Sequence, residues 1–416
     1  MRSPIGGLIF VLLLVMLDSY VFQAIKTVSH KLLPKNQTIV YSIYWAVSVA
    51  VILGFLLFVL TGPGFLNKQV RTYLFATILG LFFAKLIAVV FFLLDDIRRA
   101  IQWVVGKIFF KNTEGEVIAE DGISRSLFLS WLGLAAGSTL FGSLVYGFSN
   151  KYNYKVKRVA LHFDNLPPAF KGMRILHFSD VHSGSFTNKK AVTGGVNKIM
   201  AEKADLVIFS GDLVNDKASE MHDYLDVFSR ITAPMGVYST FGNHDYGDYV
   251  SWPQEGVSKE QNLRNLASIH GALGWRLLMD EHVTLEKGGQ QIALIGIQNW
   301  SAKARFPKYG NMEKAHAGTE KFPFKILISH DPSHWDAQVR PGYSDVDLTL
   351  SGHTHGMQFG IDIPGFKWSP VQYVYKQWAG LYEEGKQKLY VNAGFGFIGY
   401  PGRVGILPEI TVIELV

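Results

Sequence analysis

Four runs of apolar residues, at 5–25, 38–61, 72–94 and 126–148, are each about 20 residues or longer, the length needed to cross the hydrocarbon of a bilayer. A helix that is apolar on every side must be surrounded by lipid or protein, so this part of the chain cannot fold as an ordinary water-soluble domain. Composition agrees: 48 % of the 416 residues are hydrophobic and 18 % charged, with the apolar surplus concentrated in the first 150 residues. Arg2 ahead of the first run imitates a secretory signal. That run is too long, has no small-residue cleavage site and is followed by three more, so it reads as a retained helix.

Two ionisable residues fall inside these runs, Asp18 in the first and Lys85 in the third. Each alone costs roughly 2.5–3.5 kcal/mol near the bilayer centre. Their depths differ by only about 3 Å at the helical rise, so the expectation is that they pair inside the bundle; the alternative is that each finds water or a headgroup independently. In the fourth run Gly133 and Gly137 stand four apart, a spacing that lets helix backbones approach closely. Residues 97–110 mix Arg98, Arg99 and Lys107 with Ile101, Trp103 and Ile108, which reads as an amphipathic helix lying in the headgroup layer.

Lys26, Lys31 and Lys35 in the first connection, and Arg98, Arg99, Lys107, Lys111 and Arg125 in the third, outnumber Lys68 and Arg71 in the second. Positive residues favour the cytoplasm, so a multi-pass protein of the cell membrane with an extracytoplasmic C-terminal domain is expected, although Lys151, Lys155, Lys157 and Arg158 pull the other way.

Beyond residue 150 the pattern changes. Short β-branched and aromatic runs at 174–178, 206–209, 237–241, 292–297, 325–328, 346–350 and 388–391 read as buried strands, with helices at 191–203 and 220–231. Alternation of this kind predicts an α/β core. The expected organisation is a transmembrane region of four helices over 1–150, a linker and first strand over 151–173, and an α/β domain over 174–416. The formal charge of +6 suits membrane loops or an anionic substrate, and no aromatic–basic module marks nucleic acid as a partner. Nothing in the sequence names a protein partner. With no cysteine in the chain, a metal site must be built from nitrogen and oxygen donors.

Such donors cluster where the strands end. Asp180 and His182 form D-x-H after the first, and Ser210-Gly211-Asp212 follows the second. Gly242-Asn243-His244-Asp245, Ser329-His330-Asp331-Pro332 and Ser351-Gly352-His353-Thr354-His355-Gly356 follow later strands. In open α/β sheets chemistry gathers beyond the carboxyl ends of strands. Taken singly each block is weak; together they offer more His, Asp and Asn donors than one ion needs, a mixture that suits Mn, Fe or Zn. The glycines before Asp212, Asn243 and His353 are expected to permit tight turns that bring those side chains inward.

The order D-x-H, G-D, G-N-H-D, lone H, G-H-T-H resembles the calcineurin-like metallophosphoesterase superfamily, and the G-D-L-V, G-N-H-D-Y and S-G-H-T-H-G variants look most like its membrane-associated bacterial branch. The resemblance covers about 174–416 and not the membrane runs. It implies a four-layer sandwich of two mixed β-sheets flanked by helices, and two divalent metal ions. One ion would sit on Asp180, His182, Asp212 and His355 and the other on Asp212, Asn243, His330 and His353, with Asp212 bridging. His244 would act on the phosphoryl oxygen or the leaving group. The family often has an aspartate at the position of Asn215 to orient that histidine, which leaves the proton relay open here; the arginine of protein phosphatases is also absent, Lys217 standing nearby.

The implied activity is hydrolysis of a phosphodiester or pyrophosphate bond, with a lipid-linked substrate such as UDP-diacylglucosamine as an analogy. A nucleotide phosphodiesterase or phosphomonoesterase, an idle metal-binding scaffold of a membrane complex, and a channel regulated by the domain are the rival readings. The remaining histidines (30, 162, 177, 222, 270, 282, 316 and 334) read as structural or exposed, with His222 and His334 as candidates to line a pocket. The glycine-rich turn at Gly394, Gly396 and Gly399 reads as structural.

Overall fold

The computed structural model describes residues 4–61, 66–109 and 124–416. The chain divides into two compact units, Met1–Tyr146 and Gly147–Val416.

The first unit contains four long helices, α1 (Pro4–Ser29), α2 (Pro34–Thr61), α3 (Lys68–Phe109) and α4 (Arg125–Asn150), each long and apolar enough to cross a membrane. Asp18, buried in α1, receives hydrogen bonds from Ser48 Oγ (2.7 Å) and Tyr44 Oη (3.1 Å) of α2 and pairs with Lys85 of α3. The expected pairing therefore exists, and the two hydroxyls complete it. A Cβ on Gly133 would lie 2.9 Å from the Ala88 oxygen, and one on Gly137 would lie 2.5 Å from that of Ala84. Both glycines are the condition for α4 to pack this closely on α3. The segment expected to form an amphipathic helix is helical and continuous with α3 as far as Phe109, with no proline after residue 94 to break it; Phe110 and Lys111 lie outside the described residues.

The second unit is built on two six-stranded sheets. In chain order its strands are β1 (Lys155–Leu161), β2 (Arg174–Phe178), β3 (Leu206–Phe209), β4 (Val237–Ser239), β5 (Arg276–Leu277), β6 (Glu281–Lys287), β7 (Gln290–Gly296), β8 (Lys325–Ile328), β9 (Leu348–Ser351), β10 (Ile361–Ile363), β11 (Phe366–Trp368), β12 (Gly380–Glu384), β13 (Gln387–Val391) and β14 (Glu409–Leu415). One sheet runs β1-β14-β2-β3-β4-β5 and the other β12-β13-β9-β8-β7-β6, while β10 and β11 form a separate hairpin. Both sheets are mixed: β2, β3, β4 and β5 are parallel but β14 is antiparallel to β2, and β7, β8, β9 and β13 are parallel with antiparallel β6 and β12 at the edges.

Alternation along the strands assigns the layers. Ile175, Leu206 and Ile208 face inward and meet Ile292, Leu294, Ile326, Ile328, Leu348 and Leu350 of the other sheet. Their neighbours Leu176, Phe178, Val207 and Phe209 face outward against Val192, Val196 and Ile199 of α5 (Lys189–Ala201) and Leu266 and Ile269 of the helix Lys259–Ala272. On the far side Ala293, Ile295, Leu327 and Leu389 pack on Met312, Ala315, Trp335 and Val339. The result is helix, sheet, sheet, helix: the expected four layers. Each fully buried Ile, Leu or Phe contributes about 1.5–3 kcal/mol by leaving water. Central strands buried on both faces explain why β3 and β8 read as nearly continuous apolar runs, and why β2 and β9 carry only buried or small polar residues between their apolar ones.

Candidate metal centre

All five donor blocks sit immediately after the carboxyl ends of β2, β3, β4, β8 and β9, so the two sheets deliver them to one edge of the sandwich. The backbone there is unusual. Asp180, His182, Asp212, His353 and His355 all have φ between 48° and 73°, the left-handed region that costs non-glycine residues energy and persists only where the surroundings impose it. Those surroundings are on view. The Asp245 carboxylate accepts from the amides of Asp212, Leu213 and Gly242, each at 2.8 Å, and from Val214 at 3.3 Å, tying the second block to the third. The Phe395 and Gly396 amides donate to the oxygens of Ser179 and Asp180, so the glycine-rich turn braces the first block.

The glycines act differently from the turn role expected of all three. Gly211 has φ 100°, a turn conformation that only glycine adopts freely. Gly242 and Gly352 are instead places of close approach: a Cβ would lie 2.2 Å from Asp212 Oδ1 and 2.3 Å from Asp180 Oδ2, respectively. They make room for the carboxylates.

Two groups of donors result. Asp180, His182 and His355 form one and Asp212, His330 and His353 the other, the donor atoms within each lying within 4.8 Å of one another. His355 Nε2 is 3.0 Å from His182 Nε2 and 3.2 Å from Asp180 Oδ1. Asp212 Oδ2 stands between the groups, 3.1 Å from His330 Nε2 and 3.6 Å from His182 Nε2. Asn243 Oδ1 joins the second group at 2.7 Å from His353 Nδ1. The structure thus brings together every residue that the sequence proposed as a ligand.

The donor set fits divalent ions. His330 Nδ1 is 2.7 Å from the Ser210 carbonyl, which can only accept, so the ring carries its hydrogen there and leaves Nε2, 3.1 Å from Asp212 Oδ2, as the nitrogen that would meet an ion. His353 Nε2 lies 2.7 Å from Tyr375 Oη, whose hydroxyl donates to Asp331 Oδ2 at 3.2 Å. The ring's remaining lone pair at Nδ1 then faces the Asn243 oxygen, an opposition that a cation resolves. His355 is less prepared. Arg403, fully buried, reaches its Nδ1 at 3.1 Å, which leaves the ring hydrogen on Nε2 toward Asp180, so an ion there must displace it.

Electrostatics tell the same story. Burial pushes His182 well below the usual imidazole range and also lowers His353 and His355, so these rings favour the neutral form that binds metal. Burial alone would raise Asp180, but His355 and its neighbours hold it well below the carboxylate range; His330 and His244 do the same for Asp212. His330, lowered by burial but pulled strongly upward by Asp212 and Asp180, rises to about 10. The two ionised carboxylates thus demand positive charge, which His330 supplies when no ion does. Burial, reinforced by the charge of Asp212, raises Asp245 to about 7.

His244 and His353 are the partly open members of the cluster and mark its mouth. At Asn215 it is the backbone that meets His244: His244 Nδ1 donates to the Asn215 carbonyl at 2.8 Å, while the Asn215 side chain bonds Ser185. Sequence reasoning missed Tyr375, Tyr249 and Arg403, and it gave Asp245 and Asp331 no role. Tyr249 accepts from Asn243 Nδ2 at 2.8 Å and packs 4.5 Å from the His244 ring. Only Asp245 and Asp331 carried a signal, lying inside the quoted blocks. Of the histidines outside the blocks, His334 is buried on Ser329 and Gln338, and His222 is exposed.

Residues 173–357 match the family "Calcineurin-like phosphoesterase", and residues 1–151 match "Probable Calcineurin-like phosphoesterase, transmembrane domain". Over residues 173–357 the chain is a calcineurin-like phosphoesterase domain. The chain is 28 % identical over 322 residues to a transmembrane protein with metallophosphoesterase domain of Danio rerio, covering 75 % of this chain and 67 % of that one. It is 28 % identical to the uncharacterized metallophosphoesterase YkuE of Bacillus subtilis (70 % of this chain, 98 % of the relative) and 26 % identical to the phosphodiesterase YaeI of Escherichia coli (71 % and 100 %). The likeness therefore extends beyond bacteria. With four spanning-length helices and a transmembrane family domain, this calcineurin-like phosphoesterase is a membrane protein.

Proposed function

We propose that the chain hydrolyses phosphodiester or pyrophosphate bonds with a dinuclear centre, on a lipid-linked substrate at the membrane that holds it. The observation that carries this reading is the position of Asp212 Oδ2 between His330 and His182, where one carboxylate serves both groups of donors.

Asp180, His182, Asp212 and His355 would hold one ion and Asp212, Asn243, His330 and His353 the other, with Mn, Fe or Zn suited to these nitrogen and oxygen donors. Such ions would supply water activation near neutral pH and positive charge for the phosphoryl oxygens. The chain supplies the rest. His244, held through Nδ1 by the Asn215 carbonyl, presents Nε2 at the mouth and delivers a proton to the departing alkoxide or phosphate. Lys303 lies 5.3 Å from the Tyr375 ring, and Arg305 adjoins Phe306, which packs on His353 at 4.7 Å; these cations suit a substrate with a second phosphate.

The full chain should contain about two Mn, Fe or Zn ions and hydrolyse bis-p-nitrophenyl phosphate, and Asp212→Ala should lose both. Metal-loaded, folded protein that turns over no phosphate ester would sink the reading. The loop charges favour a catalytic half outside the cytoplasm, and the proposal includes that orientation. A cysteine at Glu286→Cys should then be labelled in intact cells by a membrane-impermeant maleimide, and protection until lysis would reverse the orientation.

A further inference from the structure

Among the described residues of the second unit, nine large hydrophobic side chains are exposed, and six of them fall in one short stretch: Met357, Ile361, Ile363, Phe366, Tyr373 and Val374, at 42–77 % exposure. Four of these six are carried by, or bonded to, the β10–β11 hairpin, which stands apart from both sheets with Ile361 opposite Trp368 and Ile363 opposite Phe366. Trp368 Nε1 donates to Tyr373 Oη at 3.4 Å, joining the hairpin to the following turn. Isoleucines and a phenylalanine about half exposed on one hairpin leave apolar area that their own domain does not cover, and such a concentration marks a binding surface.

The base of the hairpin is bonded to the segment that carries the first residues of the second unit. Gly360 N donates to the Val404 oxygen at 2.9 Å, and the adjacent Arg403 N donates to the oxygen of Gly147 in the last turns of α4. Gly147 has to be glycine for this, since a Cβ would lie 2.3 Å from Tyr400 Oη and 2.7 Å from Val404 Cγ2. At 26 residues α4 is about 39 Å long, against roughly 30 Å of hydrocarbon, so its final turns reach the lipid–water boundary. Asp362 on the hairpin is paired at 2.8 Å with Lys157 of the basic segment after α4, and Lys155, two residues earlier, is exposed, a cation that favours anionic headgroups. The other end of the stretch reaches the metal centre: Met357 is two residues beyond His355, and Tyr375, next to Val374, contacts His353.

We propose that the Met357–Val374 surface, led by the β10–β11 hairpin, inserts into the boundary layer of the bilayer that α4 crosses, and that the substrate is an amphiphile drawn from that layer along it. The insertion stands on the surface alone; the substrate clause rests on the phosphoesterase reading.

The absence of cysteine makes the test direct. Full-length Ile363→Cys, labelled with an environment-sensitive fluorophore and reconstituted in phosphatidylcholine–phosphatidylglycerol vesicles, should be quenched by doxyl-labelled lipid. Glu286→Cys, on the far edge strand β6, should not be. Equal, water-like emission at both positions overturns the insertion. So does a blue-shifted Ile363→Cys signal that doxyl lipid leaves untouched and that fades on dilution into excess lipid, the signature of a second copy or another protein covering the hairpin. Ile363→Ser with Phe366→Ser should lower kcat/KM at least tenfold on a vesicle-borne lipid p-nitrophenyl phosphodiester and leave bis-p-nitrophenyl phosphate unchanged. Equal loss on both substrates, or on neither, overturns the substrate clause. An unsubstituted chain inactive on both probes defeats the phosphoesterase reading, while the quenching result still decides the insertion.

Discussion

Nδ1 of His244 lies 2.8 Å from the backbone oxygen of Asn215, a position whose side chain points away to Ser185. A carbonyl fixes the tautomer of that ring as well as a carboxylate would, though without negative charge to strengthen the imidazolium. Asn215→Ala should therefore keep bis-p-nitrophenyl phosphate turnover within about threefold. His244→Asn should lower kcat by about 10²-fold or more, the usual worth of a positioned general acid. If Asn215→Ala is as damaging as His244→Asn, the backbone is not the orienting group.

The pair Asp331 and Tyr375 sets the ring of His353 through Nε2 and so frees Nδ1. Groups that orient a metal-binding histidine are typically worth 10–100-fold in metal affinity. Asp331→Asn should thus lose about half of its bound metal at a chelator concentration that the parent chain withstands, with Tyr375→Phe intermediate. Unchanged metal content in both variants would assign the pair to packing alone.

Three buried histidines away from the ligands give the fold a pH limit. Burial lowers His177 and His270 to about 3 and His334 to about 4. Each is neutral in the folded chain but takes up a proton on unfolding below its ordinary value near 6.5. Their contribution is therefore complete above about pH 6.5 and is lost as pH falls toward 4, by roughly 1.4 kcal/mol per unit for each ring. The melting temperature of the full chain in detergent should drop between pH 7 and 5, and His270→Gln should flatten that dependence by about a third. A pH-independent melting temperature across this interval would contradict the argument.

In the membrane helices, Asp18→Asn leaves Lys85 buried without its counter-charge, and breaking such a pair costs about 3–5 kcal/mol. Removing both charges with Asp18→Asn and Lys85→Met should recover much of the loss, measured as melting of the full chain in detergent. A double variant as unstable as the single one would show that the ion pair itself, rather than relief of an unpaired charge, holds the bundle.

Much of this protein was legible before any coordinates. Hydropathy determined the four spans because lipid leaves a backbone only helix or closed barrel. The strands β2, β3, β8 and β9 were visible because burial on both faces leaves short runs rich in β-branched and other apolar residues. The edge strands β5, β6 and β12 were not, since their exposed faces mix polar residues into the pattern; a first strand was expected within 151–173, where β1 lies, and β14 was not singled out. The ligands could be named because metal chemistry restricts residue type and the blocks keep their local spacing. What tertiary structure alone decided is how residues far apart in the chain divide the work: that Asp212 stands between His182 and His330, that a carbonyl rather than a side chain holds His244, that Tyr375 and Asp331 prepare His353, and that an apolar hairpin opens beside them. Local sequence constrains what a side chain can do. Only the packing of two sheets fixes which donors meet within about 3 Å, because those distances depend on strand order and register across more than a hundred residues of chain.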